Sequence, residues 1–265
     1  FSIVTVSLLT TLCSLLMERL KPSGWLRFVQ FGLLAIAFLM TSLRSFWAAM
    51  IVVVLLLLYL VRGIDGRRLI GWGVALMLPM VLALLVVFVA PNLRFSRFVE
   101  GSLKRLSTVN SGAFTGGDDS YNYRRIENDY ALAAIVSHPV LGLGMGAAYR
   151  PTDPRLDTWE ELGTSFNERT TFIHNGHLRI LLQSGLVGYL SFMWLSVAFL
   201  LRGRRNWRRI PDDRMRAGVL GFTLFYLLAL IAAPANSLFM TSTWVPVLGI
   251  ILGVNEVILR QVRPG

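Results

Sequence analysis

Long stretches of this chain run for about the length of a membrane-crossing helix with almost no charge. A helix that crosses a bilayer needs about 20 mainly apolar residues, because lipid offers the backbone no hydrogen-bond partner and only helices and closed barrels satisfy it internally. Runs of this kind cover residues 1–17, 45–61, 69–89, 180–201 and 217–233. Two weaker ones complete the set: 26–43, with Arg27 and Gln30 near its start, and 244–259, which is short and carries Glu256. Seven transmembrane helices are therefore expected, in an all-α polytopic membrane protein. Composition agrees, since 54% hydrophobic and 15% charged residues lie outside the range of ordinary soluble domains.

The placement of charge then decides what the surplus of +11 means. Basic residues gather in four connections: Arg19, Lys21 and Arg27; Arg62, Arg67 and Arg68; the run from Arg202 through Arg216; and Arg260 with Arg263. With seven spans, all four fall on one side, and the excess of Lys and Arg in short loops marks that side as cytoplasmic. On the other side, residues 90–177 hold nine basic against ten acidic residues. The positive charge is thus a topology signal with no nucleic-acid footprint. Cys13 is the single cysteine, which excludes an intrachain disulfide and a multi-cysteine metal site. The chain opens on Phe1 with no methionine and no short, basic-led signal segment, so it reads as one polytopic domain over 1–265 belonging to a longer protein with further N-terminal helices.

Residues 90–177 form the large extracytoplasmic loop of that domain, too long for a plain connection. Within it, 102–119 is rich in Ser, Thr, Gly and Asn and reads as flexible, and 151–167 reads as a solvated lid. Between them 123–137 reads as a short helix, with Ile126, Tyr130, Ala133 and Ala134 at helical spacing and Pro139 just beyond its end.

The chemistry-bearing residues collect at the outer boundary. Arg44 stands between the second and third runs, either as an anchor snorkelling to the interface or as a substrate contact. Arg124 and Arg125 open the outer helix, where cations oppose the macrodipole unless an anion lies nearby; a solvated face, or an Arg124–Glu127 pair at i, i+3, is the plainer reading. His174 and His177 flank Asn175 where the loop re-enters the membrane. A shared metal has no third His or Cys beside it, whereas one imidazole can serve as general base or simply cap the span. Gly142, Gly144 and Gly146 form a Gly-x-Gly-x-Gly loop that lacks the strand and helix of a nucleotide fingerprint and reads as a tight turn, although its amides can cradle an anion.

In order, the chain shows Ser42-Leu43-Arg44-Ser45, then Arg124-Arg125-Ile126-Glu127 leading through Ala131 to His138-Pro139-Val140-Leu141-Gly142-Leu143-Gly144. His174-Asn175-Gly176-His177-Leu178 follows and continues through Leu181-Leu182-Gln183-Ser184 to Gly185-Leu186-Val187-Gly188. This ordered set resembles the His-Asn-x-x-Leu…Gly-Leu-x-Gly signature of the bacterial O-antigen ligase and O-antigen polymerase superfamily, of which the chain would be the C-terminal portion. Asn128 stands where family members often carry Trp.

The resemblance implies a helical bundle of the GT-C-like kind in the bacterial inner membrane, with its active site facing the periplasm. The implied activity is inverting transfer of a glycan from undecaprenyl diphosphate to an acceptor glycan or lipid A–core, with no cofactor or metal. It implies His174 as base and Arg44 with Arg124, or its neighbour Arg125, as diphosphate ligands. Glu127 would orient an arginine, while Asn175 and His177 would belong to a second layer or the acceptor path. The chemistry is coherent on independent grounds: outside the cytoplasm there are no nucleotide sugars, diphosphate is a ready leaving group, and arginine's fork binds its oxygens bidentately. Protein O-glycosylation is a neighbouring alternative. A flippase for lipid-linked sugars would want midplane polar groups and broken helices, for which Pro79 and Glu256 are the only signs.

Overall fold

The computed structural model describes residues 2–17, 24–39, 44–61, 119–151, 153 and 170–261, and among them there is no strand. The helices are α1 (Ser2–Met17), α2 (Gly24–Leu39), α3 (Arg44–Leu60), α4 (Asp119–Ser137), α5 (Gly176–Asn206), α6 (Asp213–Ala232) and α7 (Val245–Gln261). Short 3-10 turns follow α5 at Trp207–Arg209 and α6 at Ala233–Ala235 and Leu238–Met240.

Among the described residues, two stretches are long and apolar enough to cross a membrane, Gly176–Arg209 and Asp213–Ala235, fewer than the seven expected. The difference has a physical basis. Helices α1, α2 and α3 hold 16, 16 and 17 residues, about 25 Å each at 1.5 Å per residue, short of a hydrocarbon core of about 30 Å. The run expected at 69–89 lies outside the described residues, as do the flexible stretch 102–118 and most of the expected lid at 151–167.

The chain divides into two compact units. The first comprises Phe1–Ser107, Phe199–Ala229 and Pro246–Gly265. Its core joins Leu9, Leu12 and Cys13 of α1 to Phe31 of α2, Phe46, Val53 and Leu57 of α3, and Leu220, Leu224 and Leu228 of α6, all buried. Helix α6 approaches α1 so closely at Gly221 that an added Cβ would stand 2.7 Å from the Thr10 methyl. At one end of this unit, Arg202 pairs with Glu256 at 3.0 Å and Arg260 pairs with it at 2.9 Å. Arg208 donates to the Leu60 carbonyl at 2.7 Å, so the last turn of α3 carries a cation at its negative end.

The second unit, Thr108–Ala198 with Leu230–Val245, holds the outer helix, the first two thirds of α5 and the turns after α6. A small core of Ala131, Tyr149, Ile173 and Leu182, flanked by Tyr130, Ala134, Leu143 and Leu178, fastens α4 to the segment entering α5. Helix α4 starts four residues earlier than the apolar spacing indicates, at Asp119, and stops at Ser137 as Pro139 requires.

Candidate active site

Everything at the centre of the second unit depends on how α5 begins and where it breaks. Asn175 caps it: its Oδ1 accepts the Leu178 N–H at 3.2 Å. Gly176 follows because the turn after α6 passes close by, and a Cβ there would meet the Asn236 carbonyl oxygen at 2.8 Å. Asn175 is thus the N-cap that fixes where α5 begins.

Ten residues on, α5 breaks at Gly185, which holds φ 62° and ψ −168°, a conformation open essentially to glycine alone. A continuous helix would bond Leu186 N–H to the Leu182 carbonyl and Val187 N–H to the Gln183 carbonyl. The Gly-x-Gly-x-Gly loop replaces both bonds. Leu143 and Gly144 donate to the Leu182 and Gln183 carbonyls at 2.8 and 3.0 Å, and Leu186 and Val187 donate to the Pro139 and Val140 carbonyls at 2.9 and 3.3 Å. A Cβ on Gly142 would lie 2.6 Å from the Gly185 nitrogen, so the two glycines meet backbone to backbone. Two motifs about forty residues apart in sequence therefore form one joint, and the Leu143 and Gly144 amides are spent on α5.

That joint, with the small core, presents α4 to residues 172–174. Glu127 lies buried on the facing side of α4, its side chain 2% exposed, with Oε2 2.9 Å from His174 Nδ1. The His174 backbone N–H donates to the same oxygen at 3.3 Å. Because an ionised carboxylate only accepts, Nδ1 carries the imidazole proton and Nε2 presents a lone pair. Nε2 has no partner among the described residues, and the ring is 38% exposed. Tyr123 and Phe172 stand edge-on to it, with ring centroids 5.7 and 4.9 Å away. Below them the Tyr149 hydroxyl donates to the Phe172 carbonyl at 3.1 Å. Burial first, and the Glu127 charge second, push the Tyr149 phenol well above its ordinary range, so it stays a donor at any physiological pH. Tyr130 reaches from α4 to a buried Asp153 at 2.9 Å.

The sequence-derived assignments separate on this geometry. Glu127 turns to His174, so the i, i+3 pair with Arg124 does not form and the glutamate orients the histidine instead of an arginine. Arg124 flanks the Tyr123–Glu127 face and is half-exposed; Arg125, about 200° around the helix from Glu127 at 100° per residue, is exposed on the far side. His177 faces inward: Nε2 lies 3.1 Å from the Leu230 carbonyl and Nδ1 3.3 Å from the Tyr189 hydroxyl. Pro234 explains the first contact, since it has no N–H to give the Leu230 carbonyl four residues earlier, and the imidazole supplies the missing donor. The two histidines thus look to different partners and share no ligand site. Arg44 opens α3 in the first unit, with its side chain outside the described residues.

Arg179 was not singled out from sequence. Its guanidinium lies over the Phe172 ring at 5.1 Å, donates to Ser237 Oγ at 2.8 Å, and keeps a buried Nε without a partner. The signal that drew attention to Arg44, a lone arginine at the outer end of an apolar run, applied to it equally.

The pattern that defines the family described as O-antigen ligase matches residues 30–193, more than half of the chain and all of this site. The chain belongs to the O-antigen ligase family. Among individually curated proteins, none matches it. As an O-antigen ligase family member it belongs to a group of membrane enzymes that process O-antigen glycans, and the matched region runs from α2 through the Gly185 joint to Met193 in α5.

Proposed function

We propose that this O-antigen ligase family member transfers a glycan, with inversion, from a polyprenyl diphosphate to an acceptor sugar hydroxyl at the outer face of the bacterial inner membrane, without a metal. The observation that carries the reading is the buried Glu127 holding His174 in the tautomer that leaves Nε2 open and half-exposed. In the reaction the acceptor oxygen attacks the anomeric carbon as its proton passes to His174 Nε2. The bond from that carbon to the phosphate oxygen breaks, and the electron pair leaves on the diphosphate. Glu127 fixes the imidazole and balances the imidazolium that forms. Arg124, beside the dyad, and Arg44 neutralise the departing diphosphate, with Arg179 and the α5 N-terminus adding positive potential.

Helix length supports the location. From Arg202 at the basic end of α5 to the break at Gly185 is about 25 Å at 1.5 Å per residue, most of a hydrocarbon core about 30 Å thick, and nine more residues lead back to Gly176. His174 then stands in the headgroup layer, where the diphosphate of a prenyl-anchored donor must lie. Glu256, one of two signs of a transport path in the sequence, is paired to Arg202 and Arg260.

The test is a transfer assay on the full-length protein in membranes, with undecaprenyl-diphosphate-linked glycan and EDTA present, comparing wild type with His174→Ala and Arg124→Ala at matched protein levels. Both variants should lose product while wild type survives chelation, and a size ladder rather than a single addition marks a polymerase. Normal transfer by His174→Ala would sink the assignment.

A further inference from the structure

Residues 131–149 contain no Asp, Glu, Lys or Arg, although they belong to a loop otherwise dense in charge. Beside Ala131 and Tyr149, which lie in the small core, several of their apolar side chains are turned outward: Val136 is 78% exposed, Leu141 74% and Met145 85%. The loop they form is bonded to α5 across Gly185 by four backbone hydrogen bonds. The same stretch of α5 exposes Leu186, Val187, Leu190 and Trp194. Among the described residues α5 is one of two helices long and apolar enough to cross a membrane, and only 11% of its most apolar window is buried in the protein; with α5 crossing, that surface is the lipid-facing wall.

Depth follows from the helix itself. Gly185 is 17 residues from Arg202, hence about 25 Å along the axis. Measured from a charged boundary at Arg202, that places the joint several ångströms inside the far edge of a core about 30 Å thick. A broken helix at such a depth leaves carbonyls and amides that lipid cannot satisfy, and it persists only where protein backbone covers it. Here the loop supplies that backbone, so it must be at the same depth as the break. An element placed there needs apolar side chains on its free surface, which is what Val140, Leu141 and Met145 present.

We propose that residues 138–146 form a re-entrant element of the outer leaflet, with Leu141 and Met145 seated among lipid acyl chains beside the exposed face of α5. The loop then fixes the height of α4, and with it Glu127 and His174, relative to the bilayer surface. This inference rests on α5 crossing the membrane and is independent of which glycan is transferred.

The experiment uses the full-length protein in phosphatidylethanolamine/phosphatidylglycerol liposomes, with single cysteines Leu141→Cys and Met145→Cys carrying a nitroxide. Trp194→Cys serves as the lipid-facing reference and Asp129→Cys as the aqueous one. Cys13 is wholly buried, and unsubstituted protein reports any labelling there. Each site is relaxed by oxygen, which partitions into acyl chains, and by a water-soluble nickel chelate. Positions 141 and 145 are expected to match 194, with oxygen favoured several-fold over the chelate. Chelate-dominated relaxation like that at 129 would put the loop in water and overturn the proposal. Protection from both reagents would overturn it equally, by showing that protein covers the loop. No transfer reaction enters the readout, so failure of the glycosyltransferase assignment would leave this result standing.

Discussion

A carboxylate buried against an imidazole can do two separable things, orientation and charge compensation, and the proposed mechanism asks both of Glu127. One oxygen, Oε2, receives the ring Nδ1–H and the backbone N–H of the same residue, so the glutamate fixes the rotamer and the tautomer together. Glu127→Gln keeps shape and an acceptor but removes the charge that balances an imidazolium in the transition state. The expected result is a fall in kcat on the order of 10²-fold, within the range general-base catalysis contributes, with KM for the lipid-linked donor unchanged. Glu127→Asp should recover part of the rate if the carboxylate acts through the ring, whereas a merely structural glutamate would show equal losses for both. Steady-state kinetics in detergent or nanodiscs check this. Tyr149 supports the pair from beneath: Tyr149→Phe deletes the donor to the Phe172 carbonyl and should lower stability by about 1–2 kcal/mol, read as a reduced apparent Tm.

Secondary structure here is shaped as much by its interruptions as by its runs. The Gly185 break and the Gly142 contact bring backbone against backbone, so side chains are refused for two different reasons. A Cβ at Gly185 would collide with the Val140 carbonyl and would also have to adopt a glycine-only conformation. Gly144 has φ 91° but open space around it. Gly185→Ala should therefore cost about 3 kcal/mol or more and abolish transfer by unseating α4, while Gly144→Ala should cost about 1–2 kcal/mol from backbone strain alone and retain activity. Thermal unfolding in detergent separates them, and equal penalties would contradict the joint. This element also marks the limit of what the sequence discloses. Apolar runs announce α5 and α6, Pro139 announces the end of α4, and the His174-Asn175 motif announces the site, because each is a local signal. That Leu143 bonds to Leu182, or that Glu127 serves His174 forty-seven residues away, depends on tertiary pairing that no spacing encodes. The orientation of His177 is illegible for the same reason: Pro234, fifty-seven residues away, leaves the Leu230 carbonyl without an N–H, and the ring turns to it. Helix lengths are less legible: the described parts of α1, α2 and α3 are apolar but shorter than the about 20 residues of a crossing helix.

At the scale of the whole chain, the question is which way the molecule faces, and the contacts bear on it. Arg208 reaches the end of α3, while Arg202 and Arg260 share Glu256, so basic residues from two separate stretches of sequence meet at one end of the first unit. In the proposed orientation this cluster lies on the cytoplasmic side, because translocating Lys and Arg in short loops is disfavoured. With α5 crossing the membrane, the proposed active site then faces out. Two exposed positions test the arrangement, Arg204 at the basic end and Asp129 on α4. In sealed right-side-out vesicles, an impermeant maleimide should label Asp129→Cys directly and Arg204→Cys only after permeabilisation. The reverse pattern would invert the protein and leave the proposed base on the side where nucleotide sugars are available, removing the reason for a lipid-linked donor. Labelling of both from outside would mean that α5 does not cross at all, and the depth assigned to its Gly185 joint would fall with it.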